Sequence, residues 1–440
     1  MHRGSAPHIT FKVMTDCICW HDNENQERCH RCAASAASNA AARVWLTELK
    51  FPGAHSAPSH ACRRFVGGSE IWSNPTSCTK SLQIHSHAMP GDGADGLESL
   101  LRLLRANDPT TTELDLEGSG IGADGAAQLA EALRDNTAIT RLNLGWNDLG
   151  DEGAEQMSGL LRVNTVLKVL ALGNNDLGDE GGEHLAGALH VNTCLTKLDL
   201  YDNALGDEGT EQLSEALRVN STLEHLDLYG NFLGAEGAAH LAGALRVNNA
   251  LKQLDLAVNG LGAEGAAHLA RALRVNTVLT RLNLTRNRIG VEGAAHLAGA
   301  LCVNNALTRL DLESNGIGAE GAAHLARALR INKALEQLDL EGNGLGAEGA
   351  AHLAGALRVN NSLTQLDLGD KSLGAEVFRE IEEACDANRV WRDKQRARGD
   401  EGDEEDEEDD EIKKEDNQAM DAWHGFARWQ ENIREKKAMM

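Results

Sequence analysis

Aromatic side chains are scarce in this sequence: six Phe, two Tyr and seven Trp among 440 residues, with only six Pro. Thick globular cores draw heavily on aromatic rings. Here Leu and Ala must fill the interior, which fits a thin layered structure. No run of about 18 apolar residues occurs, so no membrane-spanning helix is expected. The amino-terminal stretch MHRGSAPHITFKVM lacks the apolar centre of a secretory signal. Basic charge is also short. Lys and Arg number 42 against 67 Asp and Glu, a net charge of −25, which argues against general binding to a phosphate backbone. The sequence contains no G-x-x-x-x-G-K-[ST] phosphate loop, no HExxH and no nucleophile elbow, so no enzyme activity is expected. Cys194, Cys302 and Cys385 lie far apart and form no disulfide framework. A reducing compartment follows, the cytoplasm or alternatively the nucleus.

What is present is a repeat. Ten copies of one motif recur with a period of 28, their first anchors running from Leu114 in steps to Leu366. A typical copy, Leu226 to Gln253, reads LDLYGNFLGAEGAAHLAGALRVNNALKQ. In the L-x-L element both Leu side chains face one side of a short strand. The GAAHLAGALRVN part carries apolar residues at helical spacing. Each unit is therefore strand, turn, helix, turn, and stacked units place parallel strands in a sheet with helices outside.

Fixed positions within the repeat have physical reasons. Asn147, Asn175, Asn203, Asn231, Asn259, Asn287, Asn315 and Asn343 follow the strands. A buried Asn there can satisfy backbone groups exposed where the strand turns away. Gly follows the next Leu or Ile in all ten units, from Gly122 to Gly374, and permits left-handed backbone. An acidic residue, as at Glu236, marks each helix start and favours the positive helix end. Arg218, Arg246, Arg274, Arg330 and Arg358 mark helix ends, and a second Asn row from Asn136 to Asn388 is expected to take the left-handed exit from each helix.

This pattern resembles the ribonuclease-inhibitor-like class of leucine-rich repeats. The wording LDLxxNxLGxEGAxxLAxALRVN is similar to the repeat region of cytosolic NOD-like receptors. The resemblance covers about residues 91–391. It implies an α/β leucine-rich-repeat solenoid, a curved horseshoe with parallel strands on the concave side and helices on the convex side. It also implies a non-enzymatic, monomeric scaffold that binds a protein partner on the concave surface, with neither nucleic acid nor membrane as partner. The receptor resemblance by itself would imply innate-sensor-like recognition, but the nucleotide-binding module of those receptors is missing. Ran GTPase-activating proteins also join such a repeat crescent to a strongly acidic tail, as the run DEGDEEDEEDDE at 400–411 does here. Their repeats vary in length whereas these hold at 28, and no motif carries their functional residues across. That resemblance implies a protein that stabilises a Ran-type GTPase in its active arrangement.

The ends differ from the repeats. GADGLESLLRLLRAN at 93–107 matches GADGAAQLAEALRDN at 122–136 and reads as the helix of an amino-terminal cap, with LQI at 82–84 as its degenerate strand. Val377, Phe378, Ile381 and Cys385 adapt the last helix to a carboxy-terminal cap, and the pattern stops near Trp391. Three regions result: an irregular amino-terminal region at 1–80 with an Ala-rich helical stretch around 33–50, a repeat domain with caps at 81–398, and an acidic tail at 399–440. The tail ends in DAWHGFARWQENIREKK, where Trp423, Phe426, Trp429 and Ile433 fall at near-helical spacing. This segment is either a partner-binding helix or a frayed end. Cys17, Cys19, Cys29 and Cys32 have spacing that zinc can use, against unpaired thiols as the alternative. No other cofactor is expected.

The exposed strand positions are where a partner would bind. The position between the two Leu residues holds Asp115, Asp199, Asp227, Asp255, Asp311, Asp339 and Asp367. Like charges on neighbouring strands repel, and Lys197, His225, Arg281 and Arg309 adjoin them. The row is either a face for a cationic protein segment or the ordinary wording of the repeat. Aromatic departures are sharper. Tyr201 and Tyr229 take the same concave position in consecutive repeats, Trp146 lies one column over, and Phe232 follows Asn231. Arg281, Arg286 and Arg288 add a basic cluster. These residues, with Asp199, Asp227 and Asp255, form the expected contact surface; drift at variable positions is the alternative. A row from His184 through His240, His268, His296 and His324 to His352 sits at one helical phase and reads as copied surface residues.

Overall fold

The computed structural model describes residues 62–66, 69–73, 80–83, 93–369 and 375–400. The chain divides into two compact units, Met1–Leu177 with Gly187–Asn203, and Gly178–Ala186 with Ala204–Met440.

In the first unit, β1 (Cys62–Val66) and β2 (Ser69–Ser73) pair antiparallel. Then β3 (Lys80–Gln83), β4 (Thr111–Asp115), β5 (Arg141–Asn143), β6 (Val169–Ala171) and β7 (Lys197–Asp199) lie side by side in chain order, all parallel. Helices α1 (Gly93–Arg105), α2 (Gly122–Leu133) and α3 (Gly150–Leu161) connect them. Leu82 stands opposite Leu114 in β4, so the degenerate strand expected of the amino-terminal cap is in register with the repeats. Residues 1–80 were expected to be irregular, and β1 with β2 correct that for 62–66 and 69–73. Their sequences flank Gly67 and Gly68, a dipeptide that favours two-residue hairpin turns.

Helix α4 (Gly178–Leu189) follows. In the second unit, β8 (His225–Asp227), β9 (Gln253–Asp255), β10 (Arg281–Asn283), β11 (Arg309–Asp311), β12 (Gln337–Asp339) and β13 (Gln365–Asp367) are again parallel and in chain order. Their helices are α5 (Gly206–Val219), α6 (Gly234–Leu245), α7 (Gly262–Leu273), α8 (Gly290–Leu301), α9 (Gly318–Leu329), α10 (Gly346–Leu357) and α11 (Ala375–Asp400). These repeated strand–helix units form the leucine-rich-repeat solenoid expected from the sequence.

The Leu columns explain the stacking. Leu142, Leu144, Leu149 and Leu161 are buried, as are their equivalents in the other described repeats apart from half-buried Leu366 at the last strand. Each such burial stabilises by roughly 1.5–3 kcal/mol. The second Gly of the helix lets neighbouring helices approach closely at Gly265, Gly293, Gly321 and Gly349. A Cβ added at Gly293 would stand 2.5 Å from Ile289 Cγ2, 3.1 Å from Ala266 Cβ and 3.2 Å from Ala263 Cα.

Two amide ladders run through the units. Asn147 donates through Nδ2 to the carbonyls of Leu116 and Leu144 at 2.9 Å, and its Oδ1 accepts the Ile121 N–H at 3.0 Å. Its own N–H goes to Asn175 Oδ1 at 2.9 Å. The same linkage joins Asn231, Asn259, Asn287, Asn315 and Asn343. The second Asn row departs from expectation. Asn220 is extended, at φ −68 and ψ 125, and none of the row from Asn136 to Asn388 has a positive φ among the described residues. Its members act through their side chains. Asn164 Nδ2 donates to the Leu133 carbonyl, and its Oδ1 accepts the N–H groups of Val166 and Leu167, all at 2.9 Å. An amide that satisfies both sides of the helix-to-strand turn removes the need for a left-handed residue. Left-handed backbone falls instead in the strand-to-helix turn, at the expected glycines such as Gly150 (φ 62), with Asn107 (φ 52) after the capping helix α1 as the exception.

The repeat pattern accounts for the last helix as far as Asn388, but α11 continues past Trp391 to Asp400. Arg392 pairs with Glu336, and Arg358 holds Glu380 at 2.7 Å, fixing both parts of this helix to preceding repeats.

Candidate interaction surface

The Asp between the two Leu residues caps its own strand. Asp199 accepts the Tyr201 N–H at 3.2 Å, Asp227 that of Tyr229 at 3.0 Å, Asp255 that of Ala257 at 2.9 Å and Asp339 that of Glu341 at 2.9 Å. This is the Asx-turn geometry that Asp and Asn favour. The row therefore has a backbone role in addition to its charge. Repulsion is relieved where Asn takes the position: Asn143 donates to Asp115 at 3.0 Å and Asn283 to Asp255 at 2.8 Å. Arg309 adds an ion pair to Asp311 at 3.0 Å. Burial, the larger cause, and nearby Asp311 still push the Asp255 carboxyl above the usual carboxylate range. Burial does the same at Asp339, with Asp367, Asp311 and Glu313 adding to it.

In the first unit, Trp146 and Tyr201 meet. The Trp146 indole Nε1–H donates to the Tyr201 phenolic oxygen at 2.6 Å. Tyr201 reaches there because Gly173 has no side chain: a Cβ at Gly173 would fall 2.0 Å from the Tyr201 ring. Burial is the largest cause that raises the Tyr201 phenol, followed after the opposing Trp146 bond by Glu117, Asp199 and Asp202. Trp146 has a left-handed backbone (φ 59) and remains 54 % exposed. Beside it lies a cleft of about 430 Å³ lined by Asp115, Glu117, Gly118 and Trp146. Asn143 Nδ2 donates to Asp115 and to Glu117, at 3.0 Å in each case. Sequence reading selected Trp146 and Tyr201 but missed Asp115 and Glu117 as their companions. The glycine at 173, in the same strand-end column as Tyr201, was the available signal.

In the second unit, Tyr229 and Phe232 are exposed, Phe232 at 76 % with a left-handed backbone (φ 59). Arg281, Arg286 and Arg288 are exposed as well. Arg286 pairs with Glu313 at 3.6 Å, and Arg281 stands opposite Arg309 in register. Asp227 and Asp255 are half-buried.

Away from the strands, the His row makes only helix-surface contacts, such as His268 with Arg271 at 3.2 Å. No group of three or more metal-ligating side chains occurs among the described residues. Cys17, Cys19, Cys29 and Cys32 lie outside the described residues, as do the tail from 401 and its Trp423–Ile433 segment. No described helix is long and apolar enough to cross a membrane. A feature the sequence reading passed over is a row of exposed β-branched residues one position after the Arg row. Val219, Val247, Val275, Val303, Ile331 and Val359 are each 48–61 % exposed at helix ends of the second unit.

Stacked strand–helix units with side-chain columns at the strand ends define a repeat scaffold for protein interaction. Eight segments match the Leucine Rich repeat family: 135–158, 163–186, 191–214, 219–242, 247–270, 275–298, 303–326 and 332–354. The chain belongs to the leucine-rich-repeat family, in its ribonuclease-inhibitor-like form. No curated protein matches the sequence. Among solved structures it is similar to the leucine-rich-repeat-containing protein LegL7 from Legionella pneumophila, at 19 % identity and TM-score 0.45, over 70 % of this chain and 97 % of that one. It is similar to a chain of the Rad7 and Elc1 complex in yeast, at 19 % identity and TM-score 0.45, over 66 % of this chain and 70 % of that one. The tropomodulin C-terminal domain of Caenorhabditis elegans matches at 21 % identity and TM-score 0.33, over 36 % of this chain and 96 % of that one.

Proposed function

We propose that this chain is a non-enzymatic scaffold that binds a protein partner on its strand face, the concave side of the expected horseshoe. In the first unit the anchors are Trp146 and Tyr201, with Asp199. In the second they are Tyr229, Phe232, Arg281, Arg286 and Arg288, with Asp227 and Asp255. The observation that carries this reading is the 2.6 Å bond between Trp146 and Tyr201. It holds two large side chains in place before a partner arrives, and a pre-ordered aromatic anchor loses little entropy on binding. The test is affinity capture with the full chain, comparing Trp146→Ala/Tyr201→Ala and Tyr229→Ala/Phe232→Ala with the unaltered protein. Proteins recovered by the unaltered chain should be depleted at least tenfold in one double variant with an unchanged unfolding midpoint. Equal recovery in both variants removes the reading.

A second reading, a GTPase-activating protein for a Ran-type GTPase, is favoured by the acidic run at 400–411. Turnover of such a GTPase in the presence of the full chain decides it, and no acceleration ends it. Innate recognition has the repeat wording alone in its support.

A further inference from the structure

We infer that the cleft beside Trp146 receives one arginine side chain of a partner peptide. The inference rests on the strand face being a protein-binding surface, and it specifies the chemistry of one subsite. The cleft, about 430 Å³, is large enough for one long side chain. Two of its four lining residues, Asp115 and Glu117, are carboxylates. The amide of Asn143 bridges them, at 3.0 Å to each. The aromatic wall is a separate feature. Trp146 is 54 % exposed, and the Tyr201 oxygen holds its N–H edge. An indole so fixed offers its remaining surface to a cation, the best of the aromatic partners for that purpose. Gly118, at φ 61, has open space where a Cβ would stand. Glu117 also lies close enough to Tyr201 to raise its phenol, so the negative potential extends over the aromatic pair.

Arginine fits this combination better than lysine. Its planar guanidinium can stack on an indole while its fork donates to carboxylates, and it sheds water more readily than an ammonium. The chain as a whole is acidic, but this cleft joins the charge to an aromatic wall and a cavity. That combination gives specificity for a side chain rather than general attraction for basic protein.

The experiment follows the indole N–H resonance of Trp146 in the isotopically labelled full chain, identified by its loss in Trp146→Phe. The probe is a capped Gly-Arg-Gly peptide, with citrulline and lysine versions beside it. A saturable shift is expected with the arginine peptide, at least tenfold weaker in Asp115→Asn/Glu117→Gln. No saturable shift is expected with citrulline, and at least threefold weaker binding with lysine. The double variant keeps an oxygen at 115 for the Glu117 N–H, which Asp115 Oδ1 accepts at 3.3 Å, and its unfolding midpoint checks that it folds. No shift with the arginine peptide, an equal shift with citrulline, or undiminished affinity in the double variant overturns the inference. Equal affinity for lysine overturns the assignment to arginine. If partner capture depends on Trp146 and Tyr201 while the peptide does not bind, this subsite fails and the scaffold reading stands. If capture is undiminished in both the Trp146/Tyr201 and the Tyr229/Phe232 double variants, the scaffold reading itself fails.

Discussion

The indole nitrogen of Trp146 and the phenolic oxygen of Tyr201, 55 positions apart in sequence, are joined by a hydrogen bond of 2.6 Å. The bond crosses the intervening repeat at Gly173, whose missing side chain leaves room for the tyrosine ring. Replacing Tyr201 by Phe should cost stability only slightly, about 0.5–1.5 kcal/mol or less for one partly exposed hydrogen bond. The Trp146 indole N–H resonance should move upfield as its acceptor is lost. Chemical denaturation and the same resonance check both statements.

Buried amides should matter far more. Asn287 donates to the carbonyls of Leu256, Leu284 and Thr285, and accepts the N–H groups of Asn259 and Leu261. Asn287→Ala strands several buried groups, each worth roughly 1–3 kcal/mol when unsatisfied. The expected loss exceeds about 3 kcal/mol in urea unfolding. A loss under about 1 kcal/mol would show that the ladder is not a source of stability.

The two kinds of helix glycine should part company. Gly293→Ala drives a Cβ against Ile289 and Ala266, and overpacking of this sort costs roughly 1–3 kcal/mol. Gly299 has open space around it, so Gly299→Ala should stabilise by roughly 0.5–1 kcal/mol. Thermal unfolding of the two variants should shift in opposite directions.

Burial and three neighbouring carboxylates raise the Asp339 carboxyl. Its proton is therefore held more tightly in the folded chain than in the unfolded one. The site costs nothing below the unfolded value, where it is neutral in both states. The cost appears as pH rises through the raised folded value and persists above it. Asp339→Asn keeps an acceptor for the Glu341 N–H and imitates Asn143 and Asn283, which already separate acidic neighbours. It should stabilise the chain by about 0.5 kcal/mol at neutral pH, the scale of a cross-strand charge pair. The advantage should vanish on acidification, which denaturation at matched pH values would reveal.

Cys385 is buried, and that burial pushes its thiol up to about 11. Only thiolate reacts with alkylating reagents. Under native conditions at neutral pH, mass spectrometry should find Cys385 unmodified after half-buried Cys194 and Cys302 have begun to react. Simultaneous modification would mean that α11 opens readily.

Much of this was legible in the sequence because the period is constant. A column such as Leu142–Leu170–Leu198 needs only spacing to be placed, whereas Leu82 lies off that phase and was assigned to a capping strand through the helix copy at 93–107 that follows it. The second Asn row was placed but misjudged. Both a left-handed residue and a side-chain clamp suit the end of a helix, and only the surrounding carbonyls choose between them. The hairpin at 62–66 and 69–73 carried its signal in Gly67–Gly68, within a region otherwise without pattern. The meeting of Trp146 with Tyr201 was out of reach in another way. Their columns could be read, but the path of the tyrosine ring depends on Gly173, in the repeat between them. Exposed Val219 and Val247 were hidden by regularity, since a residue present in every copy looks structural.

The face that meets the partner is the central claim, and site-specific photo-crosslinking tests it most directly. A photo-reactive phenylalanine is placed at Trp146 or Tyr229 on the strand face, and at His268 or His296 on the helices. Adducts with a captured protein should form from the first two positions and not from the second two. Adducts confined to His268 and His296 would contradict the account.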